Sequence, residues 1–308
     1  MNLESSEFWD FFWEVRLREL QDLGKREAIL TTSGLIRSLS EQTGVPVRLL
    51  ELGCGEGQII GALAEAHAGA RSIGESVGVD YKRQSLEVCR RNYPGLRFIE
   101  GDFTDAVLLS SLGQFEIVLL VNALHEVFSA GYSPALGQVD VETAKQQVQR
   151  ALGLASGCLA PGGYLTLFDG LEPPGDPQQP VRLRFLHSLA REHFETFARE
   201  YHPFRIAYRE VDGPYRVEIS QRDFTRFITK SIFLGKRLWE TERLESYQYF
   251  TEAEFRAAFA RLGLTLRELR TLTVDYEKWT SLVEIETPEI DFPQEHILIV
   301  AQKESKVP

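Results

Sequence analysis

Apolar positions along this chain change period several times, and the order of the changes is that of an alternating fold. The segment LLEL before residue 53 and the run Phe115 to Val121, FEIVLLV, are almost continuously apolar, the mark of strands buried on both faces of a parallel sheet. Residues 47–170 alternate such strands with helical spacing, which predicts a parallel sheet with helices on both faces and a ligand-binding edge at the strands' carboxyl ends. AGARSIGES, before the strand ending VGVDY, reads as a long surface loop. Residues 1–46 read as a cap of two helices, with Phe8, Trp9, Phe11, Phe12 and Trp13 in the first and Ile29, Leu35, Ile36 and Leu39 in the second.

Residues 171–250 interrupt the alternation. LEPPGDPQQP is a proline-rich connection, and after it Leu183, Leu186, Ala190, Phe194, Phe197 and Tyr201 recur at spacings of three and four, predicting one amphipathic helix. A second is expected from about Ser220, with Asp223 as capping partner, through Trp239. Thr251 and Glu254 have the spacing of a capping box, and from there the sheet resumes and ends at HILIVAQK. The expected organisation is a helical cap (1–46), a core (47–170 and 251–303) and a helical lid (171–250). Topology puts that lid above the carboxyl edge, where it would build a ligand pocket. Phe194, Phe197, Trp239, Tyr247 and Tyr249 either line the pocket or pack the lid helices together.

The chemistry concentrates at LLELGCGEGQ. Its glycines are Gly53, Gly55 and Gly57, and the place a pyrophosphate-binding G-x-G-x-x-G loop reserves for its third glycine holds Gln58. A sulfonium cofactor has no phosphate to cradle. It needs close backbone approach, which glycines permit, and a carboxylate near its amino group, which Glu51 can supply. A glycine turn that only starts a helix tightly is the competing reading. VGVDY places Asp80 at a strand's end, where a carboxylate can take two ribose hydroxyls.

Glu51, Gly53, Cys54, Gly55 and Gly57, followed by Asp80 and Tyr81, LRFIEGDF, NALHEV and LAPGGYLTLFDG, resemble the motif series of class I S-adenosylmethionine-dependent methyltransferases over about two thirds of the chain. The resemblance implies an α/β fold, a doubly wound, seven-stranded, mostly parallel sheet. It also implies S-adenosylmethionine as cofactor. Asp102 would accept from the adenine amino group, Tyr81 and Phe103 would lie beside the ring, and Asn122 would position cofactor or acceptor. In families of similar layout the insertion and the N-terminal helices form the substrate lid. LHE resembles the LHD of small-molecule O-methyltransferases, so His125 and Glu126 are the candidate catalytic pair, with His125 as general base toward a hydroxyl. Nitrogen or carbon methylation, and a cofactor-binding protein without turnover, stay open as alternatives.

Composition narrows the partners. A formal charge of -11 over 308 residues argues against a nucleic-acid substrate. No apolar run reaches the roughly 18 residues of a membrane span, and MNLESSEFWDFF lacks the basic start of a signal peptide, so a soluble, cytoplasmic protein acting on a small molecule is expected. Cys54, Cys89 and Cys158 are expected as buried free thiols. The metal-dependent relatives want carboxylates where this chain has Asn122 and Asp169-Gly170, so no catalytic metal is expected. Basic residues outnumber acids within 215–243, which suits either a carboxylate-bearing acceptor or a solvated helix face.

Overall fold

The structure is a computed structural model that describes residues 24–67, 72–274 and 276–305. Seven strands form the central sheet: β1 (Val47–Leu52), β2 (Ile73–Asp80), β3 (Arg97–Glu100), β4 (Phe115–Val121), β7 (Leu159–Gly170), β11 (Leu264–Leu272) and β13 (His296–Lys303). The short hairpin β5 (Tyr132–Ser133) and β6 (Gln138–Val139) lies outside it. The order across the sheet is β11-β13-β7-β4-β1-β2-β3; β13 is antiparallel to both of its neighbours and the other pairs are parallel. Chain order reverses between β1 and β4, which makes that pair the switch point where ligands bind in open α/β sheets. Register brings Leu52 beside Leu120, and Val121 beside Phe168. The residues just beyond β1, β4 and β7 therefore meet at one place.

The helices are α1 (Gly24–Thr43), α2 (Gln58–His67), α3 (Arg83–Asn92), α4 (Ala106–Ser111), α5 (Leu124–Ser129), α6 (Val141–Gly157), α7 (Ser188–Glu200), α8 (Gln221–Ser231), α9 (Trp239–Glu242), α10 (Glu252–Arg261) and α11 (Tyr276–Leu282). Alternate residues of the buried strands feed two apolar layers. Leu49, Ile117, Leu119 and Leu298 pack with Ala28 and Ile36 of α1 and Ile60 and Leu63 of α2. Leu50, Leu52, Val118, Leu120, Leu165 and Leu167 share the larger core on the other side. The Thr251–Glu254 capping box forms at the start of α10, and the three cysteines are buried and free. The aromatic residues 8–13 expected in a first cap helix lie outside the described residues.

Several elements differ from the sequence reading. AGARSIGES is not loop throughout: β2 begins at Ile73, and Ile73 and Ser76 pair with β1 on either side of an irregularity in register. Residues 68–71 are outside the described residues. The insertion is not simply helical. Strands β8 (Pro180–Phe185), β9 (Tyr208–Glu210) and β10 (Arg216–Ser220) form an antiparallel sheet with β12 (Val283–Ile285), in the order β12-β8-β10-β9. Its edge strand β12 comes from the stretch expected to be core throughout, 251–303. Leu183 belongs to β8, where Val181, Leu183 and Phe185 are buried and Arg182 and Arg184 are only partly so. That period of two holds because β10 and β12 supply hydrogen-bonding partners on both sides. The amphipathic helix starts only at Ser188, capped by the His187 ring. Ser220 caps α8 as expected, but α8 ends at Ser231 and a turn precedes α9.

The insertion has no core of its own. Phe194, Phe197, Phe224, Phe227, Trp239 and Tyr249 belong to the same apolar cluster as Leu50, Val118 and Leu165 of the sheet. Burying that many rings together anchors the insertion to one face of the domain.

Candidate functional site

The loop after β1 is shaped by three glycines in the left-handed region, Gly53 at φ 75°, Gly55 at φ 51° and Gly57 at φ 74°. At Gly53 a Cβ would stand 2.8 Å from the Ala123 Cβ, so the loop can pass against the end of β4 only without a side chain. The amides of Gly53 and Cys54 donate to the Val79 carbonyl at 2.9 and 3.0 Å, tying the loop to β2. Asp80 ends β2; one of its oxygens accepts from the Gly55 amide and the other from the Lys82 amide, both at 2.8 Å. Burial pushes the Asp80 carboxyl above its ordinary range, and these backbone donors work against the rise.

A cleft of about 880 Å³, counted to its open mouth, lies over this edge. Of the residues singled out for the cofactor, Gly53, Gly55, Asp80, Tyr81, Phe103 and Asn122 line it. It adjoins a second, more open hollow of about 1090 Å³ that shares Tyr81, Phe103 and Glu126 and adds Asp102. Tyr81 is 56% exposed and offers a ring face. Asp102 accepts from both the amide and the hydroxyl of Thr104 at 2.7 Å.

Glu51, Cys54 and Gly57 do not line the cleft. Glu51 is buried behind the loop and accepts from the Ile60 amide of α2 at 3.1 Å, and burial pushes its carboxyl up to about 8. The Cys54 thiol and the open face of Gly57 pack toward Gly78, Phe98 and Cys89.

Asn122 brings an orphaned acceptor to the cleft. It follows β4 at φ 50°, a conformation a non-glycine residue adopts at a cost, and its amide donates to the Phe168 carbonyl at 2.8 Å. Its side-chain Oδ1 is buried with no hydrogen-bond partner among the described residues. A glycine cradle that a Cβ would fill, a fixed carboxylate at the second strand end and an orphaned acceptor at the fourth fit S-adenosylmethionine, which brings ribose hydroxyls and an ammonium as donors.

The second centre is built around His125. Asp169, at the end of β7, accepts from the amides of Leu124 and His125 at 2.9 and 3.2 Å, and so caps the N-terminus of α5 from a neighbouring strand. Its other oxygen accepts from the Gly170 amide and pairs with His125 Nδ1, each at 2.8 Å. A carboxylate there makes Nδ1 the donor and turns Nε2 toward the cleft, where Glu245 Oε2 stands 3.6 Å away. The imidazole stacks on the Tyr247 ring at 3.8 Å and 17°. Lys230 Nζ lies 4.1 Å from the centroid of that same ring and donates to Glu242 at 2.8 Å. Burial by itself would lower the His125 pKa, but the charge and hydrogen bond of Asp169, then those of Glu245, outweigh it and raise the ring to about 9. Glu126 is pushed up to about 7, by burial first and by Glu245 next.

Sequence reasoning placed His125 and Glu126 at this edge and passed over Asp169, noted only as failing a metal pattern. The signal was present, since adjacent parallel strands ending at NALHE and FDG must set their next residues side by side. Glu242 and Glu245 carried no such signal, because they reach the cleft from the insertion. Of the five insertion aromatics weighed as core or lining, Tyr247 lines the cleft, and Phe194, Phe197, Trp239 and Tyr249 are core.

Residues 49–163 match the family described as a methyltransferase domain. No curated protein matches the chain. Among solved structures, magnesium protoporphyrin IX methyltransferase from Synechocystis PCC 6803 with bound SAH has a TM-score of 0.50 at 11% identity, covering 98% of this chain and 97% of that one, a likeness of fold. An amino pentose methyltransferase from Micromonospora echinaspora, solved with SAM bound, has a TM-score of 0.45 at 18% identity, with 95% and 96% covered. An O-methyltransferase family protein from Burkholderia thailandensis has a TM-score of 0.44 at 11% identity; 92% of this chain is covered, and the chain spans only 59% of that protein's length.

Proposed function

We propose that the chain is an S-adenosylmethionine-dependent methyltransferase, a reading supported by the methyltransferase-domain match over residues 49–163, and that it methylates an oxygen of a small-molecule acceptor, with His125 as general base. The cofactor supplies an already activated methyl group, so the protein's part is alignment, exclusion of water and removal of the acceptor's proton. Asp80 would take the ribose hydroxyls, Tyr81, Phe103 and Asp102 the adenine, and Gly53, Gly55 and Asn122 the amino-acid end. Glu51, Cys54 and Gly57 would act from behind, by holding the loop's shape. Tyr247, Glu242 and Glu245 would form the acceptor wall contributed by the insertion.

The observation that carries the proposal is the Asp169–His125 pair, a buried, oriented imidazole in a cleft that Asn122 also lines, with its Nε2 on the side of Glu245. With a pKa near 9 the resting ring is charged at neutral pH and has to lose its proton before it can act as a base. A cation bound in the same cleft favours that loss. One feature favours a second reading: the acid-rich wall of Glu126, Glu242 and Glu245 suits an amine acceptor, which would give nitrogen methylation. The test is to incubate the protein with S-adenosylmethionine and panels of hydroxyl- and amine-bearing small molecules, follow S-adenosylhomocysteine and locate the methyl group by mass spectrometry. A methyl on oxygen is expected. Methyl on nitrogen alone would overturn the oxygen assignment.

A further inference from the structure

The His125 ring is held from two sides by carboxylates of different origin. Asp169 belongs to the sheet, accepts four hydrogen bonds and has a fixed structural task as the cap of α5. Glu245 comes from the insertion, is 25% exposed at its side chain and lines the cleft. Its Oε2 stands 3.6 Å from Nε2, too long for a good hydrogen bond but well inside the range of a strong charge interaction. Nε2 is also the only ring atom from which a base could reach an acceptor, since Nδ1 is committed to Asp169. The carboxylate thus sits over the face the reaction needs.

We propose that Glu245 is a positioning residue for methyl transfer, a carboxylate that occupies the Nε2 face of His125 in the resting enzyme, keeps the ring charged there, and yields that face to the acceptor's hydroxyl. The proposal rests on the reading of His125 as the base. It adds that the insertion controls when the base is available. An uncommitted neutral imidazole beside a methyl donor could activate water or be methylated itself, and a charged ring does neither. Other charged groups line the same cleft or pack beside it, Lys25 of α1 and Asp80 at the end of β2 among them. Glu126 on α5 adds negative charge; Lys82 after β2 and Lys230, beyond the Tyr247 ring on α8, oppose it, and Glu242 on α9 neutralises Lys230. Asp169 remains in every variant of Glu245. The change on removing Glu245 is therefore a partial fall in the ring's proton affinity.

The experiment is an NMR titration of the His125 imidazole in the full chain, ligand-free and with S-adenosylhomocysteine, comparing wild type, E245Q and E245D. An opposite charge within about 4 to 6 Å moves a pKa by about 1 to 3 units, so E245Q should titrate lower by about that much and E245D should recover part of the shift. With the acceptor found by product analysis, the acid limb of kcat/KM should move down by the same amount in E245Q, raising activity at neutral pH. A structural role alone would lower activity at every pH and leave the limb in place. A His125 pKa unchanged in both folded variants overturns the proposal. H125N with full turnover would instead overturn the base reading, and the NMR result would stand apart from it.

Discussion

Replacing Asp169 with Asn tests whether the ring of His125 is charged in the native state. D169N keeps the side chain's shape but leaves one oxygen to serve four donors, the amides of Leu124, His125 and Gly170 and the His125 ring. Part of the loss is independent of pH, because hydrogen bonds to a charged group are each worth about 1.5 to 3 kcal/mol. The rest is linked to protonation. The His125 pKa rises on folding from 6.5 to about 9, and at roughly 1.4 kcal/mol per unit this is about 3 kcal/mol of native stability. The sign follows from the folded state binding the proton more tightly: the contribution is fully present below pH 6.5 and is lost as pH rises through about 9. Asp169 shares it with Glu245, so D169N should lose about 2 kcal/mol more, relative to wild type, at pH 6 than at pH 10. Urea unfolding of the cofactor-free protein at the two pH values measures the difference. A D169N deficit of the same size at both would refute the reasoning, because it would mean that the buried ring is neutral and that Asp169 acts only as a helix cap.

Three further outcomes are expected. D80N should weaken S-adenosylhomocysteine binding tenfold or more by calorimetry, since losing charged hydrogen bonds costs about 1.5 to 3 kcal/mol, and unchanged affinity in a folded variant would remove Asp80 from the ribose site. In E51Q the buried carboxyl pushed from 4.5 to about 8 is gone; that group costs wild type stability progressively as pH rises from 4.5 to about 8, so E51Q should gain on wild type across this window in thermal melts, and a constant offset would count against the burial argument. H125N should keep cofactor affinity while lowering turnover by about 10²- to 10⁴-fold, with a smaller loss for acceptors already ionised at the assay pH; a rise in KM alone would leave the protein as an aligning enzyme without a base.

The parallel core was legible because its signals are local. Uninterrupted apolar runs can sit only between two covered faces, and glycines at 53, 55 and 57 announce a backbone that side chains would obstruct. Capping residues at Ser220 and Thr251 announced their helices for the same reason, since a cap bonds within its own turn. β8 was missed because its alternation, V-R-L-R-F, also offered apolar positions that continue a helical spacing. Only the partners on either side, β10 and β12, decide between the two periods.

The sequence by itself determined the alternation of strands and helices over 47–170, the glycine loop and the carboxyl-end places of Asp80, Asn122 and His125, because each depends on a strand and the few residues after it. Tertiary structure alone decided what surrounds His125. Asp169 lies 44 residues away along the chain and Glu245 lies 120 positions on, and both reach the ring through packing. Charge interactions act through space over a few ångströms, so the proton affinity of that ring is a property of the folded insertion and sheet together. Nothing in NALHEV carries it.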